Sequence, residues 1–357
     1  MPVRRSILLL AVLALVAACG PGAGSASPAV PGSASADASA STGASESPDA
    51  SAPHVALTVG LGYIPSVQFA QFYLADQAGY YDEAGLDVTF QNKIDPDLVT
   101  LVGQGSIDLG LADGTSVIPA VSNGIPIKYV ATIYGKFPSV VFAKASSGIA
   151  APKDLKGKRL GIPGRFGSSW IMLQALLKSA GLTPNDLQII EYPDFGQGAA
   201  VAQGAVDAAT GFVNNEPVQL QLSGEKVNIL RVDEITPLPG NGLIVGKAAM
   251  ESKRDAVAAF IAATLHAMAD IEADPEKGLD AAIKAVPELG ADRDTQAAIL
   301  DATIDVWRGP VQESKGLGAI EPADWEKSVA FMTDLGLVPN PVTTDQLVDT
   351  GLLPQKG

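Results

Sequence analysis

Val55-Ala56-Leu57-Thr58-Val59-Gly60-Leu61-Gly62-Tyr63-Ile64-Pro65-Ser66-Val67-Gln68-Phe69 opens the ordered part of the chain. Its first six residues alternate as a half-buried strand does, and Gly62 to Pro65 break the run into a loop. From Gln68 to Gly79 the apolar residues Phe69, Phe72, Tyr73 and Ala75 recur at helical spacing, and Gly79 ends the helix. One strand, one polar loop and one helix form the unit on which the fold is built.

The unit repeats outward. Leu86 to Gln91, Ile107 to Ala112, Ile127 to Ile133 and Val140 to Ala143 read as strands, with a helix over Pro96 to Gln104 and another after Asp113. The pattern restarts at Arg159 to Ile162, followed by the Gly-rich loop Gly164-Arg165-Phe166-Gly167-Ser168-Ser169, a helix over Trp170 to Ala180, and strands at Gln188 to Tyr192, Ala208 to Val213 and Val227 to Val232. Two segments echo each other: Gln104-Gly105-Ser106-Ile107-Asp108 and Gln203-Gly204-Ala205-Val206-Asp207 each lead into a short apolar strand. Asn241 to Gly246 then returns as a strand, and four helices follow. Alternating strands and helices imply right-handed crossovers. The expected fold class is therefore α/β: two lobes, each a mainly parallel sheet flanked by helices, with a helical C-terminal tail. The expected division is residues 55–145 with 241–357 as one lobe and 146–240 as the other. Crossings near Ala143 to Ser147 and Gly240 to Gly246 would make a hinge.

Ahead of this body, Arg4 and Arg5 precede an apolar run from Ile7 to Ala18, closed by Ala17-Ala18-Cys19. The run is shorter than the ~20 residues a spanning helix needs and reads as a secretory signal over residues 1–19. Cys19 is the chain's one cysteine and stands where a bacterial lipobox places its lipidated residue. Residues 20–54 are nearly all Gly, Ala, Ser and Pro, a composition that reads as a disordered tether. A lipid-anchored protein on the extracytoplasmic face of the cell membrane is expected. With 39 acidic against 24 basic residues the net charge is −15, which argues against a nucleic-acid partner. Two histidines and one cysteine supply no metal-ligand cluster, and neither a metal nor a cofactor is expected.

Ligands of open α/β sheets sit beyond the carboxyl ends of the strands, so the strand-end loops hold the candidate residues. Tyr63 and Phe69 suit a flat ring and Gln68 offers both donor and acceptor, whereas Phe72 reads as core. Asp113 either accepts from ring N–H groups or caps the following helix, with Thr115 beside it. Tyr134 forms a third loop. In the Gly-rich loop, Phe166 and Ser168 face a ligand, and Arg165 either holds an anion or is a surface residue. Asp194-Phe195 and Asn214-Asn215-Glu216 would line the opposite wall, with Phe195, Asn214 and Glu216 as the candidates. No Gly-x-Ser-x-Gly elbow is present, no histidine stands ready as a base, and Pro65 occupies the third glycine position of a dinucleotide loop. No catalysis is expected.

Gly62-Tyr63-Ile64-Pro65 with Gln68-Phe69-Ala70 and Phe72-Tyr73, then Ala78-Gly79-Tyr80-Tyr81, Glu83-x-Gly85-Leu86-Asp87-Val88, Leu155-Lys156-Gly157-Lys158-Arg159-Leu160-Gly161 and Gly204-x-x-Asp207, together resemble the solute-binding proteins of ABC importers. The type is that handling thiamine pyrimidine precursors, riboflavin and, more distantly, alkanesulfonates. The resemblance covers Val55 to Gly246. It implies a two-lobed periplasmic-binding-protein fold of the second type, a monomer that closes on one small ligand and delivers it to a membrane permease. It ranks a riboflavin-type heterocycle first, a pyrimidine precursor second and a sulfonate or other small anion third. An enzyme of pyrimidine synthesis on the same fold is the alternative of another class. The related synthesis proteins depend on histidines and cysteines that this chain lacks.

Overall fold

The computed structural model describes residues 53–94, 97–234 and 237–354; Cys19, the signal segment and all but the end of the tether lie outside them. Ten strands form two five-stranded sheets: β1 (Val55–Leu61), β2 (Leu86–Asn92), β3 (Leu109–Asp113), β4 (Ile127–Thr132), β5 (Ser139–Lys144), β6 (Arg159–Ile162), β7 (Gln188–Glu191), β8 (Ala208–Phe212), β9 (Val227–Arg231) and β10 (Asn241–Gly246). The strand orders are β2-β1-β3-β10-β4 and β7-β6-β8-β5-β9. In each sheet three strands run parallel (β2-β1-β3 and β7-β6-β8). Antiparallel character enters with β10 in the first sheet and β5 in the second, the strands that arrive from the other lobe.

The two lobes repeat one design down to single residues. Asp108 Oδ2 accepts the Thr58 N–H of β1 at 2.9 Å, and Asp207 Oδ2 accepts the Arg159 N–H of β6 at 2.9 Å. Each carboxylate also holds a cation, Lys253 for Asp108 and Arg159 for Asp207, both 2.7–2.9 Å away. The echoed segments thus place an aspartate where it ties the start of one strand to its neighbour.

β5 pairs with β8 and β9, so the first crossing lies at residues 133–138 rather than at Ala143 to Ser147. The second lies between β9 and β10, at residues 232–240. An apolar run such as Val140-Val141-Phe142-Ala143 suits either sheet, and only its partners decide which one it joins.

The C-terminal helices mostly complete the first lobe. Arg254–Ala273 and Pro275–Ala285 pack on the helix Ala70–Gln77, with Phe260, Ile261, Met268 and Ile271 fully buried. The helix Pro322–Asp334 also reaches the second lobe: its Phe331 packs against that lobe's core, and Ser328 Oγ donates to Pro237 O at 2.7 Å.

Candidate functional site

The carboxyl ends of β1, β3, β6 and β8 face each other across one cleft, with about 890 Å³ of empty space counted to its open mouth. The first lobe contributes Tyr63, Gln68, Phe69, Asp113, Tyr134 and Asn241. The second contributes Phe166, Ser168, Phe195, Gln197, Asn215 and Glu216. Nine of the sequence-derived candidates therefore line one space.

Aromatic rings meet from both sides. Tyr63 follows β1 in the loop broken by Gly62 and Pro65, and its ring stands edge-on to Phe195 of the other lobe, centroids 4.8 Å apart at 86°. Phe195 is the one non-glycine residue with positive φ (61°) among the described residues. A bulky side chain seldom adopts that conformation, so the loop after β7 holds this ring in place against a local cost. Burial, with Glu216 nearby, pushes the Tyr63 hydroxyl well above the usual phenol range, and a hydrogen bond with Asn215 partly opposes the shift.

Glu216 opens the helix Glu216–Leu222 directly after β8. Gln197 Nε2 donates to its Oε1 and the Phe212 N–H donates to its Oε2, each at 3.0 Å. Gly211 leaves room for this carboxylate, since a Cβ there would lie 2.8 Å from Oε2. Burial pushes the Glu216 carboxyl up to about 7, the Phe212 N–H pulling the other way. Asp113 ends β3 on the opposite wall, its register partner being Asn241 of β10. It holds the N-cap position of the helix Gly114–Ser122, but its side chain makes no cap hydrogen bond there.

Three candidates stand elsewhere. Arg165 is half-exposed, pairs with Glu191 at 3.0 Å, lies over the Trp170 ring at 5.3 Å and is not among the lining residues. Thr115 is fully buried inside its helix and does not reach the cleft wall. Asn214 is fully buried behind the wall, where its Nδ2 donates to Thr303 Oγ1 (2.9 Å), Gln68 Oε1 (3.0 Å) and Tyr134 OH (3.4 Å). All three acceptors belong to the first lobe or its crossing segment, so Asn214 ties the lobes together at the base of the cleft.

Sequence reasoning passed over Gln197 and Asn241, which do line it. Gln197 begins the helix after β7, two residues from Phe195, and extending the strand-end rule by one turn would have found it. The lining residues include no Lys or Arg. His54 lies near Asp82 at 3.5 Å and His266 stacks on Tyr80 with centroids 4.4 Å apart; neither lines the cleft. Among the described residues no cluster of His, Cys, Asp and Glu could hold a metal ion.

Comparison with known proteins agrees with this architecture. The chain is 33% identical over 316 residues to the riboflavin-binding protein RibY of Chloroflexus aurantiacus, covering 87% of this chain and 90% of that one. It is 27% identical over 240 residues to the 4-amino-5-hydroxymethyl-2-methylpyrimidine phosphate synthase of Legionella pneumophila, covering 65% and 74%. Among solved structures, the aliphatic sulphonate binding protein SsuA of Escherichia coli superposes with a TM-score of 0.64 at 21% identity, over 82% of this chain and 97% of that one. The alkanesulfonate-binding protein SsuA of Xanthomonas axonopodis, bound to MOPS, gives 0.66 at 20% identity, over 84% and 100%. The fold is thus that of the periplasmic binding proteins. The family model described as NMT1/THI5 like matches residues 66–278, which hold nine of the ten strands, β2 to β10, and this chain belongs to that family.

Proposed function

We propose that this chain is the extracytoplasmic receptor of an ABC importer and that its cleft closes on a flat, riboflavin-type heterocycle. The observation that carries the reading is the aromatic clamp: Tyr63 from one lobe and Phe195 from the other meet edge-on, with Phe166, Phe69 and Tyr134 around them. Rings from both sides favour a planar ligand held face-on between lobes. The RibY relative, matched over nine-tenths of its length, supports the same ligand class. The reading is of a binding protein rather than an enzyme, as is the relative matched over most of both chains.

A sulfonate is the weaker reading, since Arg165, the cation it needs, is turned to Glu191. A pyrimidine precursor is the second reading, carried by the synthases at 25–29% identity. A thermal-shift screen with riboflavin, thiamine, hydroxymethylpyrimidine, its formylamino analogue and taurine decides among these. Ligand at 100 times its Kd adds about 2.7 kcal/mol of stability. A response to riboflavin alone supports the reading, and a response to taurine alone overturns it. We further place the chain at the membrane through lipidation of Cys19. Cys19→Ala should release the mature protein from the membrane fraction, and retention there would remove the anchor.

A further inference from the structure

Two buried acceptors on the cleft wall have no partner among the described residues. Gln197 is 1% exposed, and its Nε2 is committed to Glu216 Oε1 at 3.0 Å, which fixes its amide with Oε1 unpaired. Asn241, at the start of β10 in the other lobe, likewise leaves Oδ1 buried without a partner. The carboxylates of Glu216 and Asp113 stand on the same two walls. Against these acceptors the lining offers neutral donors, among them the Ser168 hydroxyl and main-chain N–H groups where the helix Gly167–Ser179 begins. No lining Lys or Arg offsets the carboxylates.

Building on the receptor reading above, we propose that the cleft selects by charge: the enclosed part of its ligand carries N–H or O–H donors and no anionic group, and Gln197, Asn241 and Glu216 enforce the choice. A donor-bearing ligand satisfies both orphan acceptors on closure, which rewards the closed state. Above pH 7, where Glu216 has lost its proton, an anionic group would be enclosed beside that charge and the Asp113 carboxyl with no lining Lys or Arg, the arrangement that desolvation penalises most. The importer would therefore take a dephosphorylated compound, and a phosphate ester in the surroundings would first have to pass through a hydrolytic reaction.

The test uses the full-length chain and two readouts. In the first, riboflavin and riboflavin 5′-phosphate are compared by flavin fluorescence titration at pH 8, where Glu216 is ionised. The phosphate should bind weaker by on the order of 100-fold. Glu216→Gln should narrow that gap about tenfold, and Gln197→Lys, checked for a normal melting transition, should narrow it further. In the second, the compound released on denaturing the purified protein is identified by mass spectrometry. Equal binding of the two flavins, or an unchanged gap in Glu216→Gln, overturns the charge rule while leaving the heterocycle reading in place. Recovery of a neutral or cationic non-heterocycle, with neither flavin bound, overturns the heterocycle reading and supports the charge rule. Binding of a compound through a sulfonate group, such as an alkanesulfonate without an amine, or no ligand in either readout, counts against both.

Discussion

Replacing Glu216 by Gln should make the protein more stable at pH 8 and change the way its stability depends on pH. In the folded chain burial pushes the Glu216 carboxyl from 4.5 up to about 7. The folded state therefore holds this proton more tightly than the unfolded state does. The stabilisation from protonation is complete below the unfolded value and is lost as pH rises through the folded one. Linkage across that interval gives a loss of about 2–3 kcal/mol between pH 5 and pH 8. At 2–4 °C per kcal/mol, that is roughly 5–10 °C of melting temperature. A glutamine can still accept from the Phe212 N–H, and its NH2 can donate to the Gln197 amide oxygen once that amide turns over. The measurement is thermal melting of both proteins at half-unit steps from pH 5 to pH 8. The difference, variant minus wild type, cancels the other carboxylates and should grow steadily with pH. Parallel curves would refute the reasoning, for they would show that Glu216 titrates alike in folded and unfolded chains.

Three further outcomes follow from the geometry. Phe195→Gly and Phe195→Ala should weaken riboflavin binding equally, about tenfold, but the Gly variant should be more stable by about 1 kcal/mol because only it accepts φ of 61° without strain; equal stability in chemical denaturation would contradict this. Asn214→Ala should lower stability by about 2 kcal/mol, by orphaning buried acceptors in both the helix Arg293–Trp307 and the first lobe, and should expand the unliganded protein in small-angle scattering; an unchanged scattering profile would mean that Asn214 does not tie the lobes. Arg165→Ala should leave riboflavin affinity within twofold, since the guanidinium is engaged with Glu191 and Trp170; a larger loss would return Arg165 to the site.

Local chemistry made much of the fold readable. The strands at Arg159 to Ile162 and Asn241 to Gly246 stand where alternation and flanking glycines put them. The two echoed aspartates have one structural role because a carboxylate one residue ahead of a short strand can reach the neighbouring strand's N–H. What was not readable depends on distance along the chain. Nothing within Ser139 to Lys144 tells which sheet it joins, because that is set by β8 and β9 far downstream. Arg165 was ambiguous for the same reason, its partner Glu191 lying across a helix and a strand. Asn214 and Asn215 are adjacent and alike, and only the backbone turn at Asn215 (φ −127°, ψ −90°) sends one side chain behind the wall and the other into the cleft.

The placement of β10 has a consequence for how the chain folds. β10 lies between β3 and β4, inside the first sheet, yet it is reached only after the whole second sheet has been traversed. Residues 139–231 carry every strand of the second sheet in one unbroken segment, whereas the first sheet stays divided until residues 241–246 are available. In a chain that emerges N-terminus first, the lobe that begins earlier is finished later. Its β3 and β4 edges must wait, unpaired, for a strand more than a hundred residues downstream of β4. The part of the chain that leads the way therefore cannot close its sheet until the last of that sheet's strands has appeared.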